Sequence, residues 1–279
     1  MSTEVDYVDA FTDSLFGGNP AAIIIREHWW SDERMQCVAA ENNLSETAYA
    51  VLAADGCYDI RWFSPLTEIA FCGHATLATA FILFRRDSAL KEVVFRAPAV
   101  GQLPVQRGAD GTIVLSFPAD MPVQLDVIPD DLSAGLSIPP LEVWRCKQAY
   151  IAVYGSEQEV RELSQQPATI KRLAPFDVAV TAPGTTSGTT PITIPGTTPG
   201  TTYDFVSRYF WPANGGDEDP VTGSIHTALA PLWAAKLKRN RLIAYQASAR
   251  GGVLDCEVVA DRVQLTGKAV HYMHGSIAL

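Results

Sequence analysis

The sequence predicts an α/β protein built from two pseudo-symmetric halves, each a mixed β-sheet wrapped around a central apolar helix. Three observations carry that prediction. Short stretches alternate apolar and polar residues at strand period, separated by Gly, Pro, Asn and Asp turns. Two apolar segments rich in small residues, one entered at Cys72-Gly73-His74 and one at Thr222-Gly223-Ser224, read as helices. The unit around the first helix recurs around the second.

The elements follow in order. "EVDYVDAF" alternates like a strand, and "SLFGGNPAAIII" gives a turn and then an apolar strand. "SDERMQCVAAENN" is a helix with Ser31 as N-cap, acids in its first turn, and Met35, Val38 and Ala39 on one face. "ETAYAVLAADGCYDIRWFS" is a hairpin turning at Asp55-Gly56. "GHATLATAFILFRR" is an apolar helix ending in basic residues. Residues 90 to 117 give two or three strands with turns at Gly101 and at Ala109-Asp110-Gly111. Residues 183–202 are five Thr/Gly/Pro-rich tetrads, expected as an inserted surface loop because repeated Pro blocks a helix and little here anchors a core.

The repeat is explicit. "YDIRWFSP" at 58–65 matches "FVSRYFWP" at 205–212, placing Arg61, Phe63 and Pro65 on Arg208, Phe210 and Pro212, and Trp62 on Tyr209. After three extra residues in the second copy, "CGHATLATA" at 72–80 falls on "TGSIHTALA" at 222–230, with Gly73 on Gly223. "FRAPAVGQ" at 95–102 then falls on "YQASARGG" at 245–252. The expected domains are residues 1–120 and 121–279, with a last strand near 270–279 packing back on the first. Ala75, Ala78, Ala80, Ala228 and Ala230 let each helix sit close to its strands.

The duplication has a chemical consequence. If the halves face each other, two helix N-termini converge on one cleft, and their unpaired N–H groups make an anion site suited to a small carboxylate. Taken singly, each Gly turn is an ordinary helix start. Bulk properties narrow the partners. The 279 residues carry a net charge of −10 with no basic cluster, which argues against nucleic acid. The longest apolar runs, "AAIII" and "AFILF", are too short to cross a membrane. With no leader-like start and five cysteines lacking a CxxC pair, the expectation is a cytoplasmic protein with reduced thiols.

"DAFTDSLFGGNPAAI", "NLSETAY", "RWFSPLTEIAFCGHATLATA", "SRYFWP…EDPVTGSIHTALAPLW" and "QASARGG" together resemble the phenazine-biosynthesis isomerase (PhzF-like) family over nearly the whole chain outside the tetrads. The resemblance implies the diaminopimelate epimerase-type fold, an active site between the halves, a homodimer, and neither metal nor organic cofactor. It places Glu46 on the family's general acid/base, and His74 and Asp219 on active-site polar positions. It places Ser224 on a substrate-contacting hydroxyl, and Gly73 and Gly223 on the backbone N–H groups that hold a substrate carboxylate. Asn19, Cys72 and Thr222 complete the candidate substrate-binding set.

Each of these residues also has a plain structural reading. Glu46 starts a strand expected to be buried, where desolvation favours the neutral carboxyl and suits proton shuttling; alone it would read as a surface glutamate. His74 sits in a helix first turn, which disfavours its charged form and fits a neutral imidazole bonding to substrate. His226 reads as structural, and His28, His271 and His274 show no site-like spacing. Asp217, Glu218 and Asp219 could be a cation loop, but Pro220 follows, no metal-ligand spacing is present, and the helix end repels a cation. In the repeat register Cys72 meets Thr222, whose hydroxyl is too weak an acid to complete a two-thiol racemase. The expected activity is a cofactor-independent isomerase moving a proton on a small carboxylate-bearing metabolite. An amino-acid racemase or epimerase using Glu46 with Cys72, and a non-catalytic small-molecule binder, are the alternatives.

Overall fold

The computed structural model describes residues 2–184 and 202–278, so nearly all of the predicted surface loop over 183–202 lies outside the described residues. The first half opens with β1 (Ser2–Ala10) antiparallel to β2 (Asn19–Arg26). Helix α1 (Asp32–Asn42) crosses to β3 (Glu46–Leu52), parallel to β2, and the Asp55-Gly56 turn leads into β4 (Tyr58–Phe63). Gly56 has φ +84°, a backbone region that glycine enters without strain. The short β5 (Glu68–Ile69) folds back on β4. Helix α2 (Gly73–Arg86) then crosses to β6 (Glu92–Ala97), parallel to β4, and β7 (Gly101–Arg107) and β8 (Ile113–Pro118) complete an antiparallel meander.

The second half repeats this order. After β9 (Val123–Gln124) and the short α3 (Asp130–Gly135), β10 (Glu142–Arg145) pairs with β11 (Ala149–Val153). Two short helices, α4 (Glu157–Glu162) and α5 (Pro167–Ile170), take the place of α1 before β12 (Asp177–Pro183), which is parallel to β11. Strand β13 (Phe205–Trp211) is antiparallel to β12, and β14 (Gly216–Asp219) folds back on it as β5 does on β4. Helix α6 (His226–Leu237) leads to β15 (Arg241–Gln246), parallel to β13, then to β16 (Gly252–Val259) and β17 (Arg262–Gly267). The halves join where β17 pairs with β8. Within the second half β9 pairs with β10, and β18 (Ala269–Ala278) crosses back to pair with β1.

Local chemistry sets these elements. Ser31 accepts from the Arg34 N–H at 3.3 Å and Asp32 and Glu33 fill the first turn of α1, while Met35, Val38 and Ala39 are buried. Arg85 and Arg86 close α2 at its negative end. Helices α2 and α6 share a single apolar core with the surrounding strands, and Ala75, Ala78, Ala80, Ala228 and Ala230 are all buried in it. Burying this shared apolar surface, at about 25 cal/mol per Å², ties the two halves together, with a smaller separate core in each.

One element differs from expectation. The second helix begins at His226, not at Thr222. Residues 223–225 form a tight turn in which His226, Thr227 and Ala228 donate to the carbonyls of Gly223, Ser224 and Ile225 at 3.1, 3.1 and 2.9 Å. The Thr222 N–H is drawn away to Gln246 Oε1 at 2.8 Å. A 3₁₀-type entry replaces the first α turn, but its N–H groups still point out of the helix end.

Candidate active site

The two helix entrances meet. A Cβ built on Gly73 would stand 3.3 Å from Gly223 Cα and 3.5 Å from the Ser224 nitrogen, so the two turns touch backbone to backbone. A side chain at either glycine would push the turns apart. A cavity of about 390 Å³ opens over this junction. Glu46, Cys72, Gly73 and His74 line it from the first half; Asp219, Thr222, Gly223 and Ser224 line it from the second. Eight of the nine predicted site residues that face a ligand or the reaction therefore share one wall system, and Asn19 lies behind it, fully buried.

Glu46 leads β3 into the core and is 3% exposed. Its Oε2 stands 2.9 Å from His74 Nε2 but has no aligned hydrogen-bond donor. A buried carboxylate oxygen left with a free lone pair demands an explanation, and proton transfer is one. The close pair adds to the expectation that His74 bonds to substrate: the protein already contacts Nδ1 and sets Nε2 beside Glu46. Nδ1 lies 3.1 Å from Asn19 Nδ2 and 3.3 Å from Cys72 Sγ. Asn19 Nδ2 spends its two protons on Asp219 Oδ1 at 2.8 Å and on the Val221 carbonyl at 2.9 Å. The Cys72 S–H is then the donor to Nδ1, which leaves the ring proton on Nε2, beside Glu46 but not aligned with Oε2.

The charges bear this out. Burial pushes the Cys72 thiol well up, and the Glu46 and Asp219 charges add to it, so the sulfur stays protonated. Burial works against the charged form of His74, but Glu46 and Asp219 outweigh it and its pKa rises. Asp219 is pushed up to about 6, first by burial and then by Glu46. The ligand atoms of Glu46, Cys72 and His74 lie within 4.8 Å of one another. A divalent ion there would have to displace the thiol proton that this surrounding retains, against the positive ends of two helices. Asp217 and Glu218 are not part of the site: Asp217 is exposed, and Glu218 is paired bidentately with Arg208 at 2.8 Å. His226 is structural, its Nδ1 donating to the Thr222 carbonyl at 2.8 Å, with burial lowering its pKa to about 4.

Sequence reasoning missed a second group of cavity residues. Asp177, at the start of β12, accepts from Tyr209 Oη at 2.8 Å and from Asn214 Nδ2 at 2.9 Å. Gln148 Nε2 donates to Tyr209 Oη at 2.9 Å and to Ser224 Oγ at 3.2 Å. One signal was present: the repeat places Tyr209 where Trp62 stands, exchanging a core indole for a hydroxyl. Gln246 was also missed. Fully buried, it accepts from the Thr222 N–H and donates to the Asp219 carbonyl, both at 2.8 Å, and so locks the turn that carries the site.

The profile of the family described as phenazine biosynthesis-like protein (PhzC-PhzF) matches residues 8–275. The chain belongs to the phenazine biosynthesis-like, or PhzF, family. An isomerase of Pseudomonas aeruginosa, uncharacterized by its own name, is 42% identical over the full length of both chains. A crystal structure of a PhzF-family protein from Enterococcus faecalis superposes with a TM-score of 0.88 at 37% identity, again covering both chains fully. A predicted epimerase from P. aeruginosa, 16% identical with a TM-score of 0.73 over 99% of each chain, shares the fold. PhzF membership and the 42% identical isomerase support an isomerase-type function. Among the described residues no helix is long and apolar enough to cross a membrane.

Proposed function

We propose that this PhzF-family chain is a cofactor-independent isomerase that moves a proton on a small carboxylate-bearing metabolite, with Glu46 as the base and then the acid. The observation that carries the reading is Glu46 Oε2, buried, close to His74 and without an aligned donor, in the wall of a cavity where two helix entrances meet. The carboxylate takes a proton from a carbon next to an activating carboxylate or double bond. The electron pair left behind delocalises along that conjugated system. Glu46, now neutral, exchanges its carboxyl proton with solvent and returns a proton to the far carbon, and the double bond shifts with no change in formula. The N–H groups at Gly73, Gly223 and Ser224 hold the substrate carboxylate and meet the developing negative charge. His74 stands beside Glu46 with Nε2 and Cys72 fixes its tautomer; Asp219 and Thr222 shape the opposite turn.

The racemase alternative with Glu46 and Cys72 fits less well. A two-base mechanism needs groups on opposite sides of a carbon, whereas these two are neighbours and the thiol holds its proton. The family's homodimer belongs to the same proposal. The test is a screen of small unsaturated and α-functional carboxylates in D₂O, followed by mass spectrometry. The reading expects one class to gain solvent deuterium in the presence of the protein; uptake by none of them, with binding demonstrated, would leave a binding protein.

A further inference from the structure

The cavity is oddly charged for a site that takes an anion. It is lined by four carboxylates, Glu46, Glu68, Asp177 and Asp219, and among the described residues by no lysine or arginine. Three of the four have a cation or an imidazole beside them. Glu68 is held bidentately by Arg61 at 2.6 and 2.7 Å. Glu46 pairs with His74, and Asp219 feels the same imidazole. Asp177 has none: only the neutral groups of Tyr209 and Asn214 stabilise it, and burial has pushed its pKa up to about 6. Each of its oxygens accepts one hydrogen bond from the protein, leaving further acceptor capacity on a side chain that lines the cavity.

Its position matters as much as its charge. Three hydrogen bonds in series, of 3.2, 2.9 and 2.8 Å, run from Ser224 Oγ through Gln148 and Tyr209 to Asp177. The carboxylate-holding turn and Asp177 are thus two ends of one small wall. Trp211 lines the same cavity and offers an aromatic surface of the kind that attracts cations.

We propose that Asp177, with Tyr209 and Asn214, forms a subsite for a protonated nitrogen, so that the substrate is a small zwitterion carrying an ammonium group away from the carboxylate held at Gly73, Gly223 and Ser224. This rests on the carboxylate-binding role given to that turn above. An ammonium entering there gains charge-assisted hydrogen bonds and relieves a half-buried charge that has no counter-ion. A purely anionic substrate of the same shape would leave Asp177 uncompensated and add to the negative charge of the cavity.

The test uses the whole protein and two matched ligand series at neutral pH. β-Alanine, γ-aminobutyrate and ε-aminocaproate are each titrated beside propionate, butyrate and caproate by calorimetry. The wild type should bind the best-fitting amino acid about tenfold more tightly than its unsubstituted partner, the fold-change expected of one charge-assisted hydrogen bond. Asp177→Asn should abolish that preference while binding the plain alkanoates at least as tightly as the wild type does. If the amine gives no gain in the wild type at any chain length, or the gain survives in Asp177→Asn, the subsite is wrong and the carboxylate site stands. If neither series binds at all, the carboxylate site itself fails and takes this proposal with it.

Discussion

Asp219 should make the protein less stable as the pH rises from weakly acid to neutral, and replacing it with asparagine should remove that loss. The carboxyl is 4% exposed, and its pKa is pushed from 3.8 up to about 6 by burial and then by Glu46. The folded state therefore holds this proton more tightly than the unfolded chain does. Between the two values the unfolded chain binds fewer protons, so stability falls as pH rises and the loss is complete above about pH 6. A shift of that size corresponds to about 3 kcal/mol. Asparagine carries no charge at any of these pH values. Its amide keeps the acceptor for Asn19 but cannot accept from the Thr222 hydroxyl, a loss of about 1 kcal/mol. Asp219→Asn should then be more stable than the wild type by about 2 kcal/mol near pH 8 and less stable by about 1 kcal/mol near pH 4. Urea unfolding of both proteins across the pH range reads this directly. Asp177 titrates in the same window but is present in both proteins, so it cancels in the difference. A flat difference curve, or a variant that is weaker at every pH, would refute the idea that Asp219 is a destabilised, functionally retained carboxyl.

Three further outcomes follow from the packing. Iodoacetamide should label exposed Cys37 first and leave buried Cys72 and Cys256 untouched in the folded protein, as read by peptide mass spectrometry; early labelling of Cys72 would contradict its protonated, enclosed state. Gly223→Ala should cost about 1–3 kcal/mol and weaken carboxylate binding, because the new Cβ would lie 3.3 Å from the Phe11 ring and 3.5 Å from Gly73 Cα; unchanged melting and binding would show that the two turns need no close contact. Gln246→Leu should destabilise by about 3 kcal/mol, since it strands the Thr222 N–H and the Asp219 carbonyl, and a near-neutral effect on urea unfolding would remove Gln246 from the support of the site.

Much of this molecule could be read from the sequence because its elements obey local rules. The cap at Ser31, the turn at Asp55-Gly56 and the basic end of α2 are set by neighbours in the chain. The duplicated order of strands showed itself in "YDIRWFSP" and "FVSRYFWP", and Gly73 and Gly223 emerged as partners from that register alone. What stayed hidden depends on distant contacts. Asp177 looks like any acid at a strand start until Tyr209 and Asn214, more than thirty residues away, turn it into the cavity. His74 was legible as a site residue but not its partner, because the sequence does not show that Asn19 and Cys72 occupy one ring nitrogen and leave the other for Glu46. The late start of α6 also came from afar, through the hold of Gln246 on Thr222.

The central claim is that Glu46 itself carries the proton. It is tested most directly by solvent-deuterium incorporation into a carboxylate that the wild type exchanges, measured with Glu46→Gln under saturating conditions. The account predicts that exchange falls by about a thousandfold or more, while the variant still binds the compound with an affinity close to that of the wild type. Exchange at the wild-type rate in Glu46→Gln would contradict it, and would move the chemistry to another group in the same cavity.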